Sequence, residues 1–450
     1  MESLRLILSI FVAIFIGWNM LYLISFKNTK LFFLEKLLIS YGLGFGFISL
    51  EMFMFHFFDL KFSLFSILIC WVPFVVAAIL ISPRRRDTHI RGGSKPFSVI
   101  EKFLICAISF EVIYALFRAL IRPIEAYDAI ATFAIKSKIF YLAKSISHDY
   151  FYNLGLLFPH VDYPLNVPLS ETFIYLFLGN LNDQLVKIIF PLYFIAILGI
   201  LYCGVRRFGS RSYALMFTFA LATIPQFSNF ATNAYVDVPL SYYFLTGTLF
   251  LFYWFKKTEA VGFLYISAMI TALSGWTKNE GLVYCAINII VLLAFFLSNR
   301  KNVRGRDVAH GFGYIIVMAV IILPWLVIRR TAHVVNYDFG ILDVSRFNIM
   351  KQSNRILPML YEFQRQVFGP KKWNIFWIIL ISALIIYRKK IFAKDLVFIT
   401  MPILLIFGSY ILAYLVAQTE MTTLWSRMLI HFLPLSVFWL ALLVKDDIKI

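Results

Sequence analysis

The chain has 450 residues, 61% of them hydrophobic and only 15% charged, with a formal net charge of +18. That much apolar surface does not fit inside one water-soluble core, so a soluble globular domain is excluded and an integral membrane protein is implied. The positive charge does not indicate nucleic-acid binding: the basic residues fall in short clusters between apolar runs, where the enrichment of Lys and Arg on the cytoplasmic side of a membrane accounts for them.

In chain order, apolar stretches predict thirteen membrane-spanning helices, at residues 6–26, 37–56, 63–82, 103–121, 186–204, 212–229, 237–255, 260–276, 281–298, 311–328, 373–387, 396–417 and 427–444. Helices are the spanning form to expect, because each satisfies its own backbone hydrogen bonds in lipid. The first stretch lacks a small-residue cleavage site and reads as a retained helix. Segment 164–180 is apolar too, but it contains Pro164, Pro168 and Glu171 and reads as a helix lying at the outer interface.

Charge supports that reading. If 164–180 does not span, then Arg206, Arg207, Arg211, Lys256, Lys257, Arg300, Lys301, Arg304, Arg306, Arg388, Lys389, Lys390, Lys394, Lys445 and Lys449 share the inner side with the run Arg84, Arg85, Arg86, Arg91 and Lys95. If it spans, they all face outward. The predicted fold is an all-α polytopic membrane protein with its N-terminus outside and its C-terminus cytoplasmic. It divides into three N-terminal transmembrane helices (1–82), a catalytic transmembrane module with a large outer loop at 122–185 (83–330), and a second outer loop at 331–372 followed by three C-terminal helices (331–450). The four cysteines stand singly in apolar segments, without metal or disulfide spacing.

The loop after the fourth span interrupts the apolar pattern with carboxylates, lysines and histidines. Asp128 opens a helical pattern there, and its plainest role is to cap that helix. Its company argues for more: the topology gathers Asp128, His160, Asp162, Asp237, Lys278, Glu280 and Arg427 on the outer side, each near a membrane boundary. Ionisable groups at that depth are costly unless paired or hydrated, so the cluster implies a polar cavity. Such a set suits glycosyl transfer from a lipid phosphate: a carboxylate takes the proton of an incoming hydroxyl, and cations drawn from Lys136, Lys138, Lys144, Lys278, Arg329, Arg330 and Arg427 neutralise the departing phosphate. For Lys144 the alternative of an interfacial anchor is favoured. Asp128, Asp237 and His160 are the expected ligands if a metal is present, and an oxygen-rich set suits Mg²⁺ or Mn²⁺.

Four motifs, YDAIATFAIKSKIFY, HVDYPLNVPL, NAYVDVPLSYYF and SGWTKNEGL, with a fifth, SRMLIHFLPL, in the last span, resemble the membrane-embedded glycosyltransferases of the GT-C superfamily. The likeness is to family 39, the bacterial relatives of protein mannosyltransferases and the aminoarabinose transferase. It implies a GT-C-like fold, a polyprenyl-phosphate sugar donor, and a glycan, lipid or protein acceptor at an active site facing out of a bacterial inner membrane. It further implies that Asp128 is the catalytic base, that Asp237 is a second catalytic-site carboxylate, and that Lys136, Lys138 and Arg427 contact the donor phosphate. His160, Asp162, Tyr163, Lys278, Glu280 and Arg329 complete the expected substrate site. The pattern departs from the family in having Ala129 beside Asp128, where relatives often carry a second acid, and in placing three helices before the catalytic loop. Two other readings share the outer site: a ligase or polymerase using a lipid-diphosphate donor, and a transporter or flippase of lipid-linked sugars. Transporters commonly show repeated halves and charges at the membrane midplane; no repeat is evident here, and Glu111 alone lies clearly mid-span.

Overall fold

The computed structural model describes residues 1–24, 29–81, 96–152, 160–301, 303–334, 353–393, 396–416 and 424–447. The basic run at 84–95 and the centre of the second outer loop therefore lie outside the described residues. Every element among the described residues is helical. Three helices come first: α1 (Glu2–Ile24), α2 (Phe33–Phe55) and α3 (Leu64–Ile81). Helix α4 (Val99–Leu120) follows. It begins at Ser98, whose Oγ accepts from the Glu101 amide while the Glu101 carboxylate accepts from the Ser98 amide, so two otherwise unpaired amides are satisfied reciprocally.

The long connection after α4 is built of short helices, namely a π-helical turn (Ala129–Ala134), α5 (Ile135–Ala143), α6 (Asp149–Tyr152), α7 (Asn166–Leu178) and α8 (Asp183–Val186). Helix α7 matches the segment expected not to span. Its 13 residues reach roughly 20 Å, short of a bilayer core. It is almost wholly buried and packs against α1, α2 and α5. It ends at Gly179, whose φ of +81° is a left-handed position that glycine adopts without strain.

The remaining helices are α9 (Ile189–Arg206), α10 (Arg211–Ala222), α11 (Pro225–Thr232), α12 (Asp237–Lys256), α13 (Val261–Gly275), α14 (Asn279–Ser298), α15 (Gly305–Thr331), α16 (Ser353–Val367), α17 (Pro370–Trp373), α18 (Phe376–Ile386), α19 (Val397–Val416) and α20 (Leu424–Leu443). Among the described residues, ten helices, counting α8 and α9 as one, are long and apolar enough to cross a membrane. The expected span at 212–229 is a pair, α10 and α11, bent by 68° where Pro225 starts the second helix. The expected spans at 260–276 and 373–387 are the shorter apolar helices α13 and α18.

Helices α12 and α20 form the buried centre, whereas α3 and α4 turn Phe65, Ile79, Phe103, Phe110 and Phe117 outward, as helices facing lipid do. Helices α1 and α2 cross closely. A Cβ on Gly44 would lie 1.8 Å from the Ala13 carbonyl oxygen, and one on Gly17 would lie 1.9 Å from that of Ser40, so only glycine permits this approach.

The two ends of the bundle differ chemically. One holds Arg207 against Glu35 and Arg211 against Glu101, close to the basic turns that the charge pattern assigns to the inner side. The other gathers the loop of α5–α8, the start of α1, where Glu2 accepts from Asn182 (3.0 Å), and the first turns of α12, α14 and α20.

Candidate active site

Asp128 immediately precedes the π-helical turn, yet its side chain makes no capping bond. It reaches instead to Arg427 at the start of α20, 299 residues later, and forms an ion pair with the guanidinium Nη1. The capping role is thus not the one the side chain adopts. Single π-turns inside helices are frequent at functional sites.

Arg427 also grips Asp237 in the first turn of α12, through Nε (3.3 Å) and Nη2 (3.2 Å) to Oδ2. The other oxygen, Oδ1, accepts from Lys278 Nζ at 3.1 Å and pairs with His431 Nε2 at 2.7 Å. Lys278 stands just before α14 and pairs in addition with Glu280 at 2.7 Å. Asp237 is 0% exposed and Lys278 3%, whereas the Asp128 side chain is 42% exposed. The two carboxylates therefore differ in kind: Asp128 is open to an incoming molecule, and Asp237 is a buried anchor holding two cations in fixed directions. A buried carboxylate of this sort is tolerable only because several donors surround it.

The anchor extends inward. With Asp237 as acceptor, His431 carries its proton on Nε2, and its Nδ1 then accepts from the Tyr410 hydroxyl at 2.7 Å. Tyr410 is in turn bonded to the buried Tyr284 hydroxyl. Arg427 and His431 lie four residues apart on one face of α20, which lets both reach the same carboxylate. The Arg427 guanidinium also lies over the Tyr235 ring, 5.2 Å from its centroid.

The second part of the first loop closes one side. Lys278 Nζ lies 6.0 Å from the Tyr163 ring centroid, Asn279 donates to Asp162 at 2.9 Å, and Arg329 donates to Asn279 at 3.3 Å. His160 takes a left-handed backbone conformation, φ 56°, and its carbonyl accepts from Lys136 Nζ at 2.6 Å. Lys136 is fully buried, and burial pushes its pKa down to about 7, partly opposed by Asp162.

Of the residues singled out from sequence, the structure joins Asp128, Asp237, Lys278, Glu280 and Arg427 in one ion-pair network, and sets Tyr163, Asp162, His160, Arg329 and Lys136 along its border. Lys138 is not brought there: it turns to Asp183 at 2.6 Å. His431, Tyr410 and Asn279 are site neighbours that the sequence did not single out. For His431 the signal was present, four residues after Arg427 in SRMLIHFLPL.

The proposed metal set of Asp128, Asp237 and His160 does not fit an ion well. The guanidinium of Arg427 bridges the two carboxylates, and among the described residues no group of three His, Cys, Asp or Glu side chains stands ready to hold one.

No protein-family model matches the sequence, and none of the curated proteins matches it. Among solved structures, the chain is similar to the archaeal oligosaccharyltransferase AglB from Archaeoglobus fulgidus, solved in complex with an inhibitory peptide and a dolichol-phosphate. The TM-score is 0.47 at 10% identity, over 78% of this chain and 51% of that one. The chain thus spans about half the length of AglB.

Proposed function

We propose that the protein is a GT-C-type glycosyltransferase that moves a sugar from a polyprenyl-phosphate donor to a hydroxyl of a glycan, lipid or protein on the outer face of the membrane. The observation that carries this reading is the half-exposed Asp128 sharing Arg427 with the fully buried Asp237, with Lys278 alongside, at one end of a bundle of membrane-length helices.

The chemistry follows from charge. A sugar–phosphate–polyprenyl diester carries one negative charge, and the polyprenyl phosphate that leaves carries a second. An acceptor hydroxyl attacks the anomeric carbon, the bond from that carbon to the phosphate oxygen breaks, and the hydroxyl proton passes to Asp128. Attack from the side opposite the leaving group inverts the anomeric carbon. Asp128 as general base accounts for roughly 10²- to 10⁴-fold in rate.

The growing charge on phosphate calls for cations that are already oriented, and Asp237 orients Arg427 and Lys278. Arg427 can offer five N–H donors, three of which are engaged with Asp128 and Asp237. A donor phosphate arriving at Arg427 competes with Asp128 for it, which frees the Asp128 carboxylate for the acceptor. Asp237 takes no proton in this scheme; it is a positioning residue.

The test is to reconstitute the protein in liposomes with a panel of polyprenyl-phosphate sugars and an envelope acceptor fraction, and to measure released polyprenyl phosphate. Release that requires both substrates is the expected result. Release only from diphosphate-linked glycans, or donor uptake without release, would replace the proposal with a ligase or a transporter.

A further inference from the structure

A second feature lies away from the ion-pair network, toward the basic end of the bundle. Helix α4 leans on α10 and α11 and leaves a groove between itself and α2, floored by α9. The groove encloses a cavity of about 340 Å³, lined on α4 by Ile105, Ser109 and Val112, and on α9 by Leu198, Gly199 and Tyr202. Leu38 of α2 closes the far wall, and a Cβ on Gly199 would lie 2.2 Å from its Cδ1, so the floor is low only because position 199 lacks a side chain.

The apolar stripes that line this groove end alike. On α4, Ile105, Ser109 and Val112 share a face, and toward the helix start that face is flanked by Glu101, which pairs with Arg211, and by Lys102. On α9 the face of Ile195, Gly199 and Tyr202 continues to Arg206, and on α10 the face of Leu215 and Thr218 begins with Arg211. Three basic residues therefore stand at the helix ends that border the mouth of the groove. Arg211 marks its rim, its guanidinium 4.2 Å from the ring centroid of Phe97, which itself lines the groove. Arg211 is neutralised by Glu101, but among the described residues neither Lys102 nor Arg206 has a carboxylate partner.

An apolar channel that opens to lipid and ends in unneutralised cations is complementary to one long hydrocarbon chain carrying an anionic head. We propose that the groove binds an anionic phospholipid from the leaflet at the basic end, with an acyl chain along α4 and α9 and its phosphate between Lys102 and Arg206. A polyprenyl donor suits it less well, because a donor phosphate at Arg427 sits at the opposite end of the helices and would bring only its uncharged tail to these cations. This inference does not depend on the transferase reading.

The test uses the full chain in mixed micelles and native mass spectrometry, with phosphatidylglycerol and phosphatidylcholine of identical acyl chains. The wild type is expected to retain phosphatidylglycerol at least tenfold better, since basic residues near the surface favour anionic lipid. The double variant Lys102→Gln, Arg206→Gln, in which Lys102 is exposed and Arg206 half-buried, should lose that preference with its thermal transition unchanged. Ser109→Trp, which fills the groove without touching the cations, should lose retention of both lipids. Equal retention of the two lipids by the wild type, or an unchanged preference in the double variant, would overturn the proposal.

Discussion

At the scale of single residues, the two aspartates that look alike in sequence are separated by burial. Asp237→Asn leaves Lys278 and Arg427 facing a neutral amide in the interior, and breaking a buried pair in this way costs about 3–5 kcal/mol. Asp128→Asn removes one end of a half-exposed pair and should change stability by only about 1 kcal/mol or less. Unfolding of the two variants in detergent checks this, and equal losses would contradict the division of roles. Lys136 gives a pH-dependent test. Its folded-state pKa of about 7 lies below the 10.5 of the free side chain, so between those values the unfolded chain binds the extra proton and stability rises with pH. The penalty is complete below pH 7 and gone above pH 10.5. Lys136→Met should flatten the slope, at most about 1.4 kcal/mol per pH unit, and an unchanged slope assigns it elsewhere. The acids and bases that meet at Arg427 could be grouped from sequence because ionisable groups at the edges of apolar spans are costly unless paired or hydrated. His431 and Tyr410 were not, because one polar residue in an apolar helix shows its partner only once the helices are packed.

At the scale of elements, the site exists because four first turns meet: those after Asp128, at Asp237, after Lys278 and at Arg427. The α13–α14 turn is held by its own tight contact, since a Cβ on Gly281 would lie 1.8 Å from the Ser274 carbonyl oxygen. Gly281→Ala should therefore displace Lys278 and reduce transfer by at least tenfold, whereas Gly305→Ala, with open space around it, should leave transfer unaltered. A comparison of the two in one assay decides the point. The order and placing of the spans were legible from hydropathy, and the non-spanning α7 from Pro164, Pro168, Glu171 and the charges that follow. The bend between α10 and α11 was missed although Pro225 marks it, because the apolar run continues through the break and hydropathy does not register direction. The burial of α7 was not legible either: a short apolar helix looks the same whether it lies on a membrane or beneath other helices.

At the scale of the whole molecule, the arrangement of ends agrees with the charge pattern: Asp128, Asp237, Lys278 and Arg427 lie together, opposite the Arg207–Glu35 and Arg211–Glu101 pairs. Which end faces outward can be read by labelling. With Cys70 and Cys106 replaced, a cysteine at the exposed Tyr127 should react with an impermeant thiol reagent added outside cells, and one at the exposed Arg300 should not; the reverse pattern inverts the topology. Ser170, in the middle of α7, is too buried to serve as such a probe. The central claim is that the shared Asp128–Arg427–Asp237 centre transfers a sugar. Its most direct test is single-turnover release of polyprenyl phosphate by wild type and Asp128→Asn, with donor binding measured on the same preparations. The expected result is binding within a few-fold of wild type and release slowed by at least about 100-fold, as loss of a general base requires. Release at the wild-type rate from a variant that binds donor normally would contradict the claim.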